Sequence, residues 1–265
     1  MDPGLGRRGW SGGESKVFWF FSSEKNIFLP LAGSMRIEVT GRMGRMGRLV
    51  VEEVAAAGAT LVESGAEAVI DFTHASTVQA RAAELAAAGV AWILGTTGLS
   101  AADQAVVEAA AAKICIVQAA NFSPGVNLVL ALARRLAAAL PADEYDAEIL
   151  DMHHRQKVDA PSGTALALGR AVATGRGVSL EAVAQIDRNG ARSVGAIGFA
   201  ALRCGQVVGE HTLLFASGTE QIALTHRAFD RRVFARGAVR AAFWTEGKAP
   251  GLYSMMDVLG MNEGP

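Results

Sequence analysis

The chain has 265 residues, 51% of them hydrophobic and 19% charged, with 30 glycines and a formal net charge of −1. This is the composition of an alanine-rich globular protein with a sizeable core, in one large domain or two ordinary ones. The near-neutral balance excludes a strong overall field for nucleic acid or an anionic membrane, so any anion site must be local. No apolar run reaches the roughly 18–20 residues of a membrane span, and two cysteines are too few for a disulfide framework. A cytoplasmic protein is the default.

Residues 1–34 hold Trp10, Trp19 and a phenylalanine cluster without a sustained period, and stop at a second methionine, Met35. They read as a leader or an over-long start outside the fold. From Met35 the pattern is regular: MRIEV (35–39), AVIDF (68–72), AWILG (91–95) and KICIVQ (113–118) read as strands, and ATLV (59–62) as a further strand. Helical spacing appears at 48–58, 76–89 and 100–112, with Ser76 and Ser100 as N-caps. Strands alternating with helices predict a parallel, doubly wound, Rossmann-like sheet. Cys115 and Cys204 lie in apolar, strand-like runs without ligand spacing and read as buried thiols.

After NFSPG (121–125) the pattern becomes a helix at 126–139, a strand at 144–152, a helix from 163, and three strand-like runs over 195–229 joined by glycine-containing turns. Such runs suit antiparallel strands. The fold class is therefore α/β, with a nucleotide-binding domain and a second α+β domain carrying a mixed or antiparallel sheet. The expected division is 35–124 plus 234–265 for the first and 125–233 for the second, with a last helix at 231–245 and a tail returning to the first.

TGRMGRMGR (40–48) joins the first strand to the first helix. Gly41, Gly44 and Gly47 form a variant of the dinucleotide fingerprint, in which a tight turn and a helix N-terminus receive a pyrophosphate. Arg42, Arg45 and Arg48 suit a 2′-phosphate. Glu63 is the acidic candidate for the ribose, roughly 20 residues after the turn.

EILDMHHRQKVDAPSGT (148–164) carries the chemistry. His153 and Lys157 are four apart, a spacing that puts both on one side of a helix or strand and makes them a proton-donating pair. Arg155 adds positive charge; His154 faces away if the segment is a strand. Pro161 extends Ala160, and Ser162 caps a helix, so Ser162, Gly163 and Thr164 offer N–H groups and hydroxyls to a carboxylate. Adjacent histidines without a third spaced ligand do not make a metal site.

This segment resembles the signature of the dihydrodipicolinate reductase family, and GRMGR, VIDFTH (69–74), GTTGL (95–99), AANFSPGVN (119–127) and GEHTLLF (209–215) stand in that family's order. The resemblance runs from Met35 to about Met261. It implies NADH- or NADPH-dependent reduction of a cyclic unsaturated imine dicarboxylate to tetrahydrodipicolinate, in lysine and diaminopimelate biosynthesis. It further implies that His153 and Lys157 donate the proton, either one giving it, and that Lys157, His154, Ser162, Gly163 and Thr164 hold the substrate. For the cofactor, the glycine-rich turn itself gives Gly41, Arg42, Met43, Gly44, Arg45 and Met46 at one end with Glu63 as the ribose candidate, and the resemblance implies Phe72, Thr73, Gly95, Thr96, Thr97, Gly98, Asn121, Phe122 and Ser123 towards the nicotinamide. Family members are usually homotetramers joined through the second sheet. The chain departs from the pattern in two places: GATLVESGAEAVIDF is short where the family's adenosine-ribose region lies, and 184–195 is compact where relatives carry a longer basic loop.

Two rival readings share these features. Another nicotinamide oxidoreductase of the same plan, such as an aspartate or a semialdehyde dehydrogenase, is one; the latter needs a nucleophilic cysteine in a loop, whereas Cys115 falls in a strand. A non-catalytic dinucleotide sensor is the other, but a sensor needs no proton donor. Gly125 beside Pro124 predicts a hinge that closes the domains around substrate.

Overall fold

The computed structural model describes residues 34–261; apart from Ser34, the segment read as a leader lies outside the described residues. The elements are β1 (Arg36–Thr40), α1 (Arg45–Ala56), β2 (Thr60–Leu61), β3 (Ala68–Asp71), α2 (Val78–Ala88), β4 (Ala91–Leu94), α3 (Ala101–Ala111), β5 (Cys115–Gln118), α4 (Pro124–Ala139), β6 (Asp146–His153), α5 (Gly163–Gly175), α6 (Leu180–Val183), β7 (Ala184–Gln185), β8 (Ile197–Arg203), β9 (Gly209–Ala216), β10 (Gln221–Ala228), α7 (Arg232–Trp244), β11 (Gly251–Tyr253) and α8 (Met255–Val258).

The first sheet runs β11-β5-β4-β3-β1-β2 and is parallel throughout. Its central strands β3, β4 and β5 are near-continuous apolar runs because both faces are covered there. Val50 and Val54 of α1 and the alanines of α7 pack on one side; Val78 and Leu85 of α2 and Val107 of α3 pack on the other. The chain tail contributes β11, paired with β5. Strand order reverses between β1 and β3, and that reversal opens a crevice at the strands' carboxyl ends. β2 has only two residues, opposite Arg36 and Ile37. Stopping so early, it needs only residues 62–67 to return to β3, and it leaves the upper half of β1 facing the crevice.

Two local expectations hold differently from each other. Ser100 caps α3 with a reciprocal capping box to Asp103. Ser76 caps nothing: Ala75–Thr77 form a 3-10 turn and α2 starts at Val78, because the hydroxyl of Thr77 bonds the His74 carbonyl and tightens the entry. The first helix also starts earlier than its apolar spacing implies, at Arg45, with Gly44 as cap.

The second sheet runs β10-β9-β6-β8-β7. Only β9 and β10 form the expected hairpin; β6 inserts between β8 and β9, pairing with β8 in parallel and with β9 antiparallel. The three late runs are thus not a meander. Glycine-containing turns mark where strands end, and the burial of Ile149, Ile197 and Leu213 under α4 and α5 decides which strands meet. Cys115 is buried, and burial pushes its thiol up to about 11. Cys204 is exposed, correcting the expectation of burial, because β8 ends at Arg203 and the chain turns outward there.

No helix among the described residues is long and apolar enough to cross a membrane.

Candidate active site

The glycine-rich turn lies at the crevice. Gly41 has φ +70°, which favours glycine. A Cβ on Gly47 would run into the Gly41 carbonyl and stand 2.7 Å from Arg42 Cα, so α1 approaches the turn only because Gly47 lacks one. A cavity of about 660 Å³ opens beside it, lined by Gly41, Arg42, Met43, Gly44, Glu63, Phe72 and Thr73 together with Glu38, Thr40 and His74. Arg42 and Glu63 meet there, Nη2 to Oε1 at 2.6 Å. Met46 packs on the apolar core, and Arg45 is exposed at the first turn of α1. Arg48 bonds the Met43 carbonyl at 3.1 Å and steadies the turn.

The wall beyond is built from the ends of β3, β4 and β5. Gly95 allows the Phe72 ring to lie against the backbone, and Phe72 meets the buried Phe122 edge-on with centroids 5.5 Å apart. Thr96 donates to the Thr73 carbonyl at 3.3 Å; Thr97 and Gly98 are exposed. Asn121 accepts from Ser123 N–H at 2.8 Å and donates from Nδ2 to Thr164 Oγ1 at 3.3 Å, which joins this wall to the start of α5. Ser123 caps α4 and contacts His226 Nε2 at 3.3 Å.

β6 brings the second group. Its alternation buries Ala147, Ile149, Asp151 and His153 on one face, and the last two replace apolar residues where the face meets the start of α5. The chain turns immediately after His153, with Lys157 N–H bonding the His154 carbonyl at 3.1 Å. His153 and Lys157 therefore do not share a helix or strand face, correcting the expectation from their spacing. Different carboxylates hold them: His153 Nδ1 lies 2.8 Å from Asp151 Oδ1, and Lys157 Nζ lies 2.8 Å from Asp159 Oδ1. That lysine holds the Asp159 carboxyl below its usual range. His154 is half-buried and contacts Gln156.

Ser162 is corrected in part. It caps α5, accepting from Ala165 N–H at 3.2 Å, but its own N–H donates to Asp151 Oδ2 at 2.8 Å and its hydroxyl contacts His211 Nε2 at 3.1 Å. It is buried, so the open N–H groups at this helix start are those of Gly163 and Thr164, which lack intrahelical acceptors.

Sequence reasoning missed Asp151, Arg203, His211 and His226. Register places Asp151, His211 and His226 in one row across β6, β9 and β10. His153 and His211 meet edge-on with centroids 5.1 Å apart, and atoms of Asp151, His153 and His211 lie within 4.8 Å of one another, a composition that adjacent histidines alone did not suggest. Arg203 Nη2 lies 3.0 Å from Asp151 Oδ2 and offsets its charge. Burial by itself would raise the Asp151 carboxyl. His153, His211, the Ser162 N–H and Arg203 outweigh that and hold it well below the carboxylate range. Burial, then the neighbouring His211, lowers His226. Two signals were available: Asp151 lies two residues before His153 on a strand, and His211 sits in the quoted GEHTLLF.

The family model described as Dihydrodipicolinate reductase, C-terminus, matches residues 125–259, and that described as Dihydrodipicolinate reductase, N-terminus, matches 58–122. The 4-hydroxy-tetrahydrodipicolinate reductase of Granulibacter bethesdensis is 61% identical over 256 residues, covering 86% of this chain and 98% of that protein. The protein of that name from Gluconacetobacter diazotrophicus is 57% identical over 251 residues, with the same coverage. Among solved structures, a dipicolinate-bound dihydrodipicolinate reductase from a Paenisporosarcina species superposes with a TM-score of 0.69 at 21% identity, over 84% of this chain and 98% of that one. On both the matched models and the identity to these relatives, the chain belongs to the dihydrodipicolinate reductase family.

Proposed function

We propose that this chain reduces the 4-hydroxy-tetrahydrodipicolinate/dihydrodipicolinate substrate to tetrahydrodipicolinate with NADH or NADPH, in lysine (diaminopimelate) biosynthesis. The observation that carries this reading is that Asp151 joins His153 to the cap of α5, with Lys157 in the turn that leads from one to the other, and that Asn121 and Thr164 tie this helix start to the wall beside a dinucleotide-type turn. The Granulibacter protein's name supports the activity, and the Paenisporosarcina protein's bound dipicolinate supports a dicarboxylate ligand.

The residues fit a nicotinamide dinucleotide. Gly41, Gly44 and Gly47 leave the turn open to a pyrophosphate, and the neighbouring cavity has Glu63 for ribose hydroxyls and Arg42 for a 2′-phosphate. When bound, that cofactor supplies the hydride. Phe72, Thr73, Gly95, Thr96, Thr97, Gly98, Asn121, Phe122 and Ser123 form the nicotinamide side. Gly163 and Thr164 N–H groups, with Lys157 and His154, hold the substrate carboxylates. His153 or Lys157 then protonates the carbon next to the one reduced, once that carbon has become electron-rich. We assign 35–124 plus 234–265 to cofactor binding and 125–233 to substrate binding, with closure about the Pro124–Gly125 hinge. Loss of reduced-nicotinamide absorbance with freshly made substrate tests the reading; no turnover with either cofactor, in protein that binds it, sinks it.

The Arg42–Glu63 pair sets an expectation for cofactor choice. Glu63→Gln removes a charge that opposes a 2′-phosphate, so the NADPH-to-NADH ratio of kcat/KM rises. Arg42→Ala lowers the same ratio. Each change is about tenfold, the scale of one solvent-exposed charged hydrogen bond, and steady-state kinetics with both cofactors reads it.

This reading also makes the protein a cytoplasmic homotetramer, with neither a membrane nor a nucleic-acid partner. The second sheet presents Leu150, Met152, Leu202 and Leu214 on the face away from α4 and α5, with Leu202 47% exposed. A leucine so placed suits an interface. Leu202→Asp is expected to shift light-scattering mass from tetramer to smaller species, and an unchanged mass counts against this face.

A further inference from the structure

We infer that Asp151 is a positioning residue, one that holds the His153 imidazole and the substrate-carboxylate cradle in a single frame; the inference rests on the reductase reading. Its two oxygens divide the work. Oδ1 lies 2.8 Å from His153 Nδ1 and 3.4 Å from His211 Nε2, while Oδ2 accepts from Ser162 N–H at 2.8 Å and from Arg203 Nη2 at 3.0 Å. One carboxylate thus touches His153 through one atom and the cap of α5 through the other.

Asp151 is 1% exposed and too deep to meet the substrate itself. A buried carboxylate is costly unless its partners are in place. Oδ2 has its partners, and the guanidinium there also donates to the Asp159 carbonyl at 2.6 Å, tethering the loop between His153 and the cradle, whereas Oδ1 has the two imidazoles nearby but no aligned N–H. An anion beside Nδ1 favours a proton on that nitrogen and leaves Nε2 for chemistry, the division of labour general to a histidine with a carboxylate behind it. His153 Nδ1 is within reach of Oδ1 but its N–H is not yet aligned with it, as is common before substrate draws a site together. Gly209 packs close to that atom, since a Cβ there would stand 3.0 Å from Nε2, and glycine keeps a side chain from crowding it.

If Asp151 acts through His153, its removal matters only while His153 is present. Asp151→Asn keeps the shape and an acceptor for Ser162 N–H, and is expected to lower kcat by about 100-fold with cofactor Kd unchanged. In a His153→Gln background the same change is expected to lower residual kcat less than about threefold. Equal losses in both backgrounds, or wild-type kcat in the single variant, overturn the inference. Should Asp151→Asn fail to fold, Asp151→Glu, which keeps the charge but shifts both oxygens, goes through the same cycle; because it also moves the Ser162 contact, a loss in kcat at least about tenfold greater with His153 present than without it supports the inference, and a smaller difference overturns it. Wild-type protein that binds cofactor without turnover defeats the reductase reading and this inference together, whereas wild-type turnover with equal losses defeats the inference alone.

Discussion

Lys157→Ala and His153→Gln are each expected to lower kcat by about 10²–10⁴-fold, the scale of positioned acid catalysis, while cofactor Kd stays near wild type. The two changes differ in KM. Lys157 is a cation in a turn, with its ammonium partly open and paired to the exposed Asp159, so it can turn from that aspartate to a substrate carboxylate. Its loss raises KM for substrate as well. His153 is 8% exposed and held at the end of β6; its loss falls mainly on kcat. The double variant is expected to lose little beyond the worse single one, because groups acting on one proton transfer are not additive. Single-turnover and steady-state rates on protein whose thermal unfolding matches wild type supply the check. Near-normal turnover in both single variants would remove this pair from the chemistry.

Gly47→Ala is expected to have a large effect away from the substrate. The added methyl group collides with the Gly41 carbonyl and with Arg42 Cα; neither is a flexible side-chain end, so the turn itself must move. Gly44 N–H donates to that same Gly41 carbonyl at 2.9 Å, and shifting it loosens the cap of α1. Overpacking of this kind destabilises by about 1–3 kcal/mol, and pyrophosphate binding, which depends on close backbone approach, is expected to weaken by at least about tenfold. Thermal unfolding and cofactor titration measure the two effects. Gly218→Ala, where a methyl group would have nothing within 4 Å, should change neither.

These expectations depend on features with different origins. The helix and strand alternation that dictates the parallel sheet was written locally: apolar runs of four or five residues between periodic segments, with Ser100 and Ser162 as caps. The Gly41–Gly47 turn and the PSGT helix start were legible for the same reason, since backbone freedom and capping depend on neighbours in sequence. Where competing local bonds existed the reading failed, as at Ser76, where Thr77 tightened the turn instead.

The long-range pairings had no such local code. β6 lies between β8 and β9 because that order buries Ile149, Ile197 and Leu213 beneath α4 and α5, a choice made by the whole core. Only this order sets His211 opposite Asp151, and the turn after β6 separates the partners of His153 and Lys157 despite their helical spacing. The sequence by itself determined most of the elements, the glycine-rich turn, and the residues whose chemistry suits donating a proton and holding a carboxylate. Tertiary structure alone decided which of them touch, because strand pairing joins residues as far apart as Asp151 and His211 through burial and hydrogen bonding that no short segment encodes.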